Sequence, residues 1–290
     1  MPTFNMIYEP STIIQLRDGN ILIAEDEGDN PLFLSPLVNI KSGPELKPVR
    51  LQGINGVLDD LEGSALGKDG AVYLITSHSS DKKGKRKKKR EVLTRLTFKD
   101  GKISDNTSYY NLLVPLRKVL EGESKIKSAN LKQINIEGLC FDSSQERLLL
   151  GLRSPLAGNM AVILVLENPY TIFSEGQNPK FQKKMIYLDI KGGGIRSMTY
   201  DPERKAYLLV NEIPNKKGKL RPAVWSWDGK SNSSPIQVKL PKPKGIRNIE
   251  GITLTKIKNK TFLLMVADDG NRKKKEGAHY WFLDTSTLVY

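Results

Sequence analysis

Cysteine is nearly absent from this chain. The single Cys140 excludes an intramolecular disulfide and any cysteine-based metal cage. Its setting in Gly138-Leu139-Cys140-Phe141 predicts a buried, inert thiol. Histidine is as scarce, with only His78 and His279, and zinc-ligand spacing is missing. No run approaches the ~18 apolar residues that a membrane helix needs. The opening Met1-Pro2-Thr3-Phe4-Asn5 lacks the basic-then-apolar pattern of a secretory signal. A Walker loop, a dinucleotide fingerprint and a Gly-x-Ser-x-Gly elbow are all missing. These absences point to a cytoplasmic monomer with no membrane association.

What the chain has in excess is positive charge. The formal net charge is +14, and part of it is concentrated in three runs at 82–90, 216–221 and 272–275. Two readings of these runs stay open. They are solvated loops that keep the protein dispersed, or they steer an anionic partner. Nucleic acid is the weaker partner, because the runs lack interleaved aromatics for base stacking.

Self-comparison of the chain reveals a repeat. Asp60-Leu61-Glu62-Gly63, Asn135-Ile136-Glu137-Gly138 and Asn248-Ile249-Glu250-Gly251 each open a short apolar strand, a tight turn and a second apolar strand. A degenerate copy starts at Gly194-Ile195-Arg196-Ser197, and a fifth runs from Ser11 to Ala24. Asp-Gly and Asn-containing turns supply the positive φ of hairpins. A third β-like segment follows each hairpin: 31–34, 92–98, 160–166, 223–227 and 280–283. Trp225, Trp227 and Trp281 fall in these segments and read as core. Fourth segments are expected at 49–51, 109–113, 185–190 and 236–240, with a helix around Leu116 to Glu121.

Four antiparallel strands per unit make a propeller blade. The expected fold is therefore all-β: one domain over residues 1–290, a five-bladed β-propeller. The last copy lacks a fourth segment, and the spare stretch Phe4 to Tyr8 is placed to complete it and close the ring. The alternative, six blades, would need a sixth copy.

Several motifs, taken in order, resemble a bacterial family of unknown function, DUF3616. They are the three Glu-Gly signatures, Ile75-Thr76-Ser77-His78-Ser79, Arg153-Ser154-Pro155-Leu156, Gly194-Ile195-Arg196 and Asp268-Asp269-Gly270. The resemblance runs from about residue 60 to 270 and implies no established activity. The Glu-Gly element alone is also similar to the esterase-like phytase and gluconolactonase-type propellers, whose blades open with Glu-Gly near a central metal.

Propeller topology brings the start of strand one and the end of strand two to one face. Glu62, Glu137, Arg196 and Glu250 stand at strand-one starts. Glu25, Asp26 and Glu27, His78, Arg153, Asn211 and Glu212, and Asp268 and Asp269 stand at strand-two ends. The basic runs lie between strands two and three, so they rise on the same face. Three glutamates at equivalent positions repel one another unless a cation sits among them. Hard oxygen donors imply Ca²⁺ or Mg²⁺. Equally, such glutamates serve structure by accepting backbone N–H bonds between blades.

The leading expectation is a pocket at this channel mouth that binds, and hydrolyses, an anionic phosphorylated small molecule. The enzyme class implied is a metal-dependent hydrolase. Glu62, Glu137 and Glu250 are the candidate metal ligands. Arg153, Arg196 and Glu212 are the candidate ligand-binding residues, and His78, Asp268 and Asp269 the candidate catalytic ones. The alternative is a non-catalytic scaffold whose glutamates and arginines neutralise each other while its basic loops bind an acidic macromolecule.

Overall fold

The computed structural model describes residues 2–40, 43–54, 58–81, 83–126, 128–215, 217–241 and 245–290. Lys82 and Lys216, which belong to two of the basic runs, lie outside the described residues.

The described residues form a five-bladed β-propeller. The first blade holds β1 (Pro10–Gln15), β2 (Ile21–Glu25), β3 (Leu32–Ser35) and, after the small hairpin β4 (Leu37–Ile40) and β5 (Gly43–Leu46), the outer strand β6 (Val49–Arg50). The second holds β7 (Leu61–Leu66), β8 (Val72–Thr76), β9 (Leu93–Lys99) and β10 (Lys102–Tyr109). The helix α1 (Leu113–Glu121) then leads to the third blade: β11 (Asn135–Asp142), β12 (Arg147–Ala157), β13 (Met160–Leu166) and, after α2 (Pro169–Ser174), β14 (Ile186–Leu188). The fourth holds β15 (Ser197–Asp201), β16 (Ala206–Pro214), β17 (Leu220–Trp227) and β18 (Ile236–Val238). The fifth holds β19 (Ile249–Ile257), β20 (Lys260–Ala267) and β21 (Tyr280–Asp284).

Each first strand packs against the first strand of the next blade, and β19 packs back against β1. The five first strands therefore line the central channel. Apolar side chains fill each gap between neighbouring blades. Leu74 and Leu32 belong to one buried cluster shared by the first two blades, Leu150 and Ile75 to one shared by the next two, and Leu209 and Ile163 to one shared by the third and fourth.

The N-terminal segment closes the ring without forming a full strand. Thr3 bridges His279, Phe4 N–H donates to the Ala278 carbonyl at 2.9 Å, and Ala278 N–H donates to the Ile7 carbonyl at 2.9 Å. Phe4 and Ile7 are buried with Ile13, Ile23, Val266 and Tyr280, which joins the first and last blades. Burying two such side chains stabilises the closure by about 1.5–3 kcal/mol each.

One segment differs from expectation. The outer strand of the second blade is Lys102–Tyr109, whereas 109–113 leads into α1. The reason is burial: this edge strand is largely exposed, so its residues Lys-Ile-Ser-Asp-Asn-Thr-Ser-Tyr carry little hydrophobic alternation. Cys140 is buried, and burial pushes its thiol up to about 12. Among the described residues no helix is long and apolar enough to cross a membrane.

Candidate functional site at the channel mouth

The Glu-Gly signature acquires a physical meaning here. In β7, β11 and β19 the ladder register shifts between Leu61 and Gly63, between Ile136 and Gly138, and between Ile249 and Gly251. Each glutamate is thus the extra residue of a β-bulge, a device that re-aims a side chain. The residue that starts the signature is left-handed in two copies, with φ 64° at Asp60 and 50° at Asn248, a region that Asp and Asn tolerate. The glycine admits the neighbouring blade. A Cβ on Gly138 would stand 2.7 Å from Ile195 Cγ2, and one on Gly251 would stand 3.0 Å from Thr12 Cα.

The re-aimed glutamates converge on a cavity of about 280 Å³ at one mouth of the channel. Its walls are polar throughout. Glu62, Glu137, Glu250 and Asp268 line it, as do Asp26, Asp60, Ser11, Ser79 and Asn135. Among the described residues, two cations, Arg90 and Arg153, line it with those six carboxylates.

The carboxylates are not equivalent. Asp60 is well partnered: Ser77 and Ser79 hydroxyls donate to it, the latter at 2.9 Å, and Arg90 Nη1 lies 3.2 Å away. Glu137, only 2% exposed, accepts from Arg153 Nη1 at 2.6 Å and from Asn135 Nδ2 at 3.0 Å through Oε1. Its Oε2 has no partner among the described residues. Glu250 is paired with Arg196, which also reaches Glu212 Oε2 at 3.2 Å. Glu62 and Asp26 make no side-chain hydrogen bond or ion pair among the described residues, and Asp26 Oδ1 is buried.

Unbalanced charge raises the affinity of these groups for protons. Burial, then Glu9, Asp268 and Glu27, push the Asp26 carboxyl up to about 7. Burial, then Glu137, Asp60 and Asp26, hold Glu62 well above the usual carboxylate range. Asp268 is also raised, by burial and then by Glu9. Glu137 is raised by burial, with Arg153 and Arg196 opposing.

The sequence-predicted residues thus divide. Glu62, Glu137, Glu250, Asp268 and Arg153 come together in the cavity. Arg196, 6% exposed, sits behind the wall, joining Glu250 to Glu212. His78 and Asp269 do not line the cavity. His78 is fully buried, its Nδ1 2.8 Å from the Thr76 carbonyl oxygen, and burial depresses it to about 4. Asp269 accepts the His279 backbone N–H at 2.9 Å and meets His279 Nδ1 at 2.9 Å. Asp60, Arg90 and Asn135 were not among the candidates. Asp60 and Asn135 were signalled by the first position of the signature, and Arg90 by the end of the first basic run.

The first run rises on the expected face, where Arg90 reaches the cavity, and Arg272 of the third run places its Nη2 3.0 Å from Glu25 at the end of β2. Among the described residues no three His, Cys, Asp or Glu side chains are grouped as a ready metal cage. One or two carboxylates without partners, such as Glu62 and Asp26, suit instead a cation that keeps much of its water, as Mg²⁺ does.

Comparisons with known proteins add the following. A family model described as a protein of unknown function (DUF3616) matches residues 127–284, more than half of the chain. The matched stretch contains the third and fourth blades and the described strands of the fifth. No curated protein matches. A putative oxidoreductase (glucose dehydrogenase) from Thermus thermophilus aligns with TM-score 0.38 and 13% identity, over 96% of this chain and 97% of that one. A chain of the mitotic checkpoint complex aligns with TM-score 0.36 and 12% identity, over 93% of this chain and 63% of that one. At these TM-scores neither likeness bears on shape or activity.

Proposed function

The chain belongs to the DUF3616 family of proteins of unknown function, and we propose that it binds a phosphorylated small molecule together with a divalent cation at the channel mouth. One observation carries the reading. Among the described residues six carboxylates face two guanidinium groups in a polar cavity, and four of the six, Asp26, Glu62, Glu137 and Asp268, are held above their usual range, with burial the first cause in each. A cation relieves that charge, whereas a bare anion would worsen it.

Glu62 and Asp26 would hold the cation, which would neutralise charge on the wall and on the ligand phosphate together. Mg²⁺ fits best, because it binds through one or two carboxylates plus substrate phosphates. Glu137 and Glu250, each engaged by an arginine, shape the wall instead. Hydrolysis is the finer part of the proposal. Asp268, which burial also raises and which lies outside the proposed cation pair, is the group left to exchange a proton. A single buried thiol supports placing the protein in the cytoplasm.

Thermal-shift measurements with a sugar phosphate and a nucleotide, each with and without Mg²⁺, test this reading. The expected result is stabilisation by the two components together that exceeds that of either alone and falls to the level of the phosphorylated molecule alone in Glu62→Gln. Stabilisation by heparin alone, lost steeply with added salt, would instead support an interaction scaffold and contradict the cavity reading.

A further inference from the structure

Beside the acidic cavity lies a second depression of opposite character. This groove, about 710 Å³, is lined by Arg86, Arg117 and Lys132 together with Ser79, Ser80 and Asn135. Ser79 and Asn135 line both spaces, so the two are contiguous. The only carboxylate on the groove among the described residues is Asp81. Its Oδ1 is committed to the loop, accepting the backbone N–H groups of Lys83 and Lys85 at 2.9 Å each.

The three cations differ in how far they are engaged. Arg86 is a structural clamp: it pairs with Glu91 and donates to the His78 carbonyl at 2.6 Å. Arg117 and Lys132 form no ion pair among the described residues. Arg117 has one long contact, Nη2 to the Leu131 carbonyl at 3.4 Å, and its buried Nε has no partner. Its place is fixed by the helix: Leu113, Leu116 and Leu120 are buried, which sets the face of α1 and leaves Arg117 at its edge. At the junction, Asn135 gives its Nδ2 to Glu137, so its orphaned Oδ1 is an acceptor awaiting a donor.

We propose that this groove is the phosphate subsite of the same ligand, with Arg117 and Lys132 taking the phosphoryl oxygens and Asn135 Oδ1 accepting from a hydroxyl at the junction. The inference rests on the channel-mouth reading and deepens it. The ligand is bipolar in its demands: its anionic end lies over the groove, and its cation-bound, hydroxyl-bearing part lies in the carboxylate cavity. Charge separation between contiguous spaces fixes its direction, because reversal would set phosphate against Glu62 and Asp26 and leave Arg117 unpaired.

Calorimetric titration of inorganic phosphate at physiological ionic strength tests the subsite. The expected result is one site, weakened about tenfold or more in Arg117→Gln and several-fold in Lys132→Gln. Binding should be unchanged in Lys88→Gln/Lys89→Gln, whose lysines lie elsewhere on the basic loop. Lys132 is exposed, so its variant keeps the test valid if Arg117→Gln fails to fold. Phosphate affinity unaltered in Lys132→Gln, or lost in the Lys88/Lys89 variant instead, overturns the subsite. The Glu62→Gln variant separates the two ideas, because it should lose Mg²⁺ while keeping the phosphate site. Phosphate binding without any Mg²⁺ binding would remove the cavity reading and leave the groove standing.

Discussion

Arg153, within the second strand of the third blade, donates at 2.6 Å to Glu137, the bulged residue of the first strand of the same blade. The guanidinium is half exposed, whereas the carboxylate is 2% exposed. The pair is therefore asymmetric: the arginine has water, and the glutamate depends on the arginine. Removing the arginine leaves a buried charge without compensation.

Arg153→Gln should accordingly cost about 1–3 kcal/mol near neutral pH, with Glu137 moving further above the usual carboxylate range. An acid whose folded value is raised contributes stability at low pH that is lost as pH rises. The deficit of the variant should therefore be larger at pH 8 than at pH 4. Urea denaturation at the two pH values measures it.

Asp26 supplies the same argument in reverse. Burial, Glu9, Asp268 and Glu27 raise it from 3.8 to about 7. Its contribution is fully present below pH 3.8 and is lost as pH rises through 7. Asp26→Asn should therefore melt above the wild type at pH 8, with the difference closing by pH 4. Melting curves across this range check the sign, and a variant less stable at pH 8 would contradict the proposed charge strain.

The signature glycine makes a packing prediction. A Cβ on Gly138 would stand 2.7 Å from Ile195 Cγ2 and 2.9 Å from Met198 Cγ, both in the next blade. The backbone there is not left-handed, so the cost of Gly138→Ala is steric. Overpacking of this kind costs about 1–3 kcal/mol. The denaturation midpoint should fall while the slope stays constant.

The blades were legible because their inner strands are buried on both sides and announce themselves as short apolar runs between turn residues. Leu148 to Leu152 and Leu263 to Val266 are examples. The polar edge strand Lys102–Tyr109 gave no such signal. At the site, repetition alone located Glu62, Glu137 and Glu250 at one mouth, since topology carries equivalent positions to equivalent places. Partner choice was not legible. Arg196 turns to Glu250, 54 residues away in the chain, and to Glu212, so it sits behind the wall instead of in the cavity. His78 offered a general base by residue type, but burial depresses it and its Nδ1 is taken by the Thr76 carbonyl oxygen. The groove formed by Arg117 and Lys132 depends on how a helix and a loop dock, which no repeat encodes.

The central claim is that the channel mouth carries uncompensated negative charge that a divalent cation satisfies. Calorimetric titration of chelator-treated protein with Mg²⁺, in wild type and in Glu62→Gln, tests it most directly. The account predicts one Mg²⁺ site in the wild type that releases protons at pH 7 and is lost in Glu62→Gln with the fold intact. Equal Mg²⁺ binding by the two proteins, or none by the wild type, would contradict it.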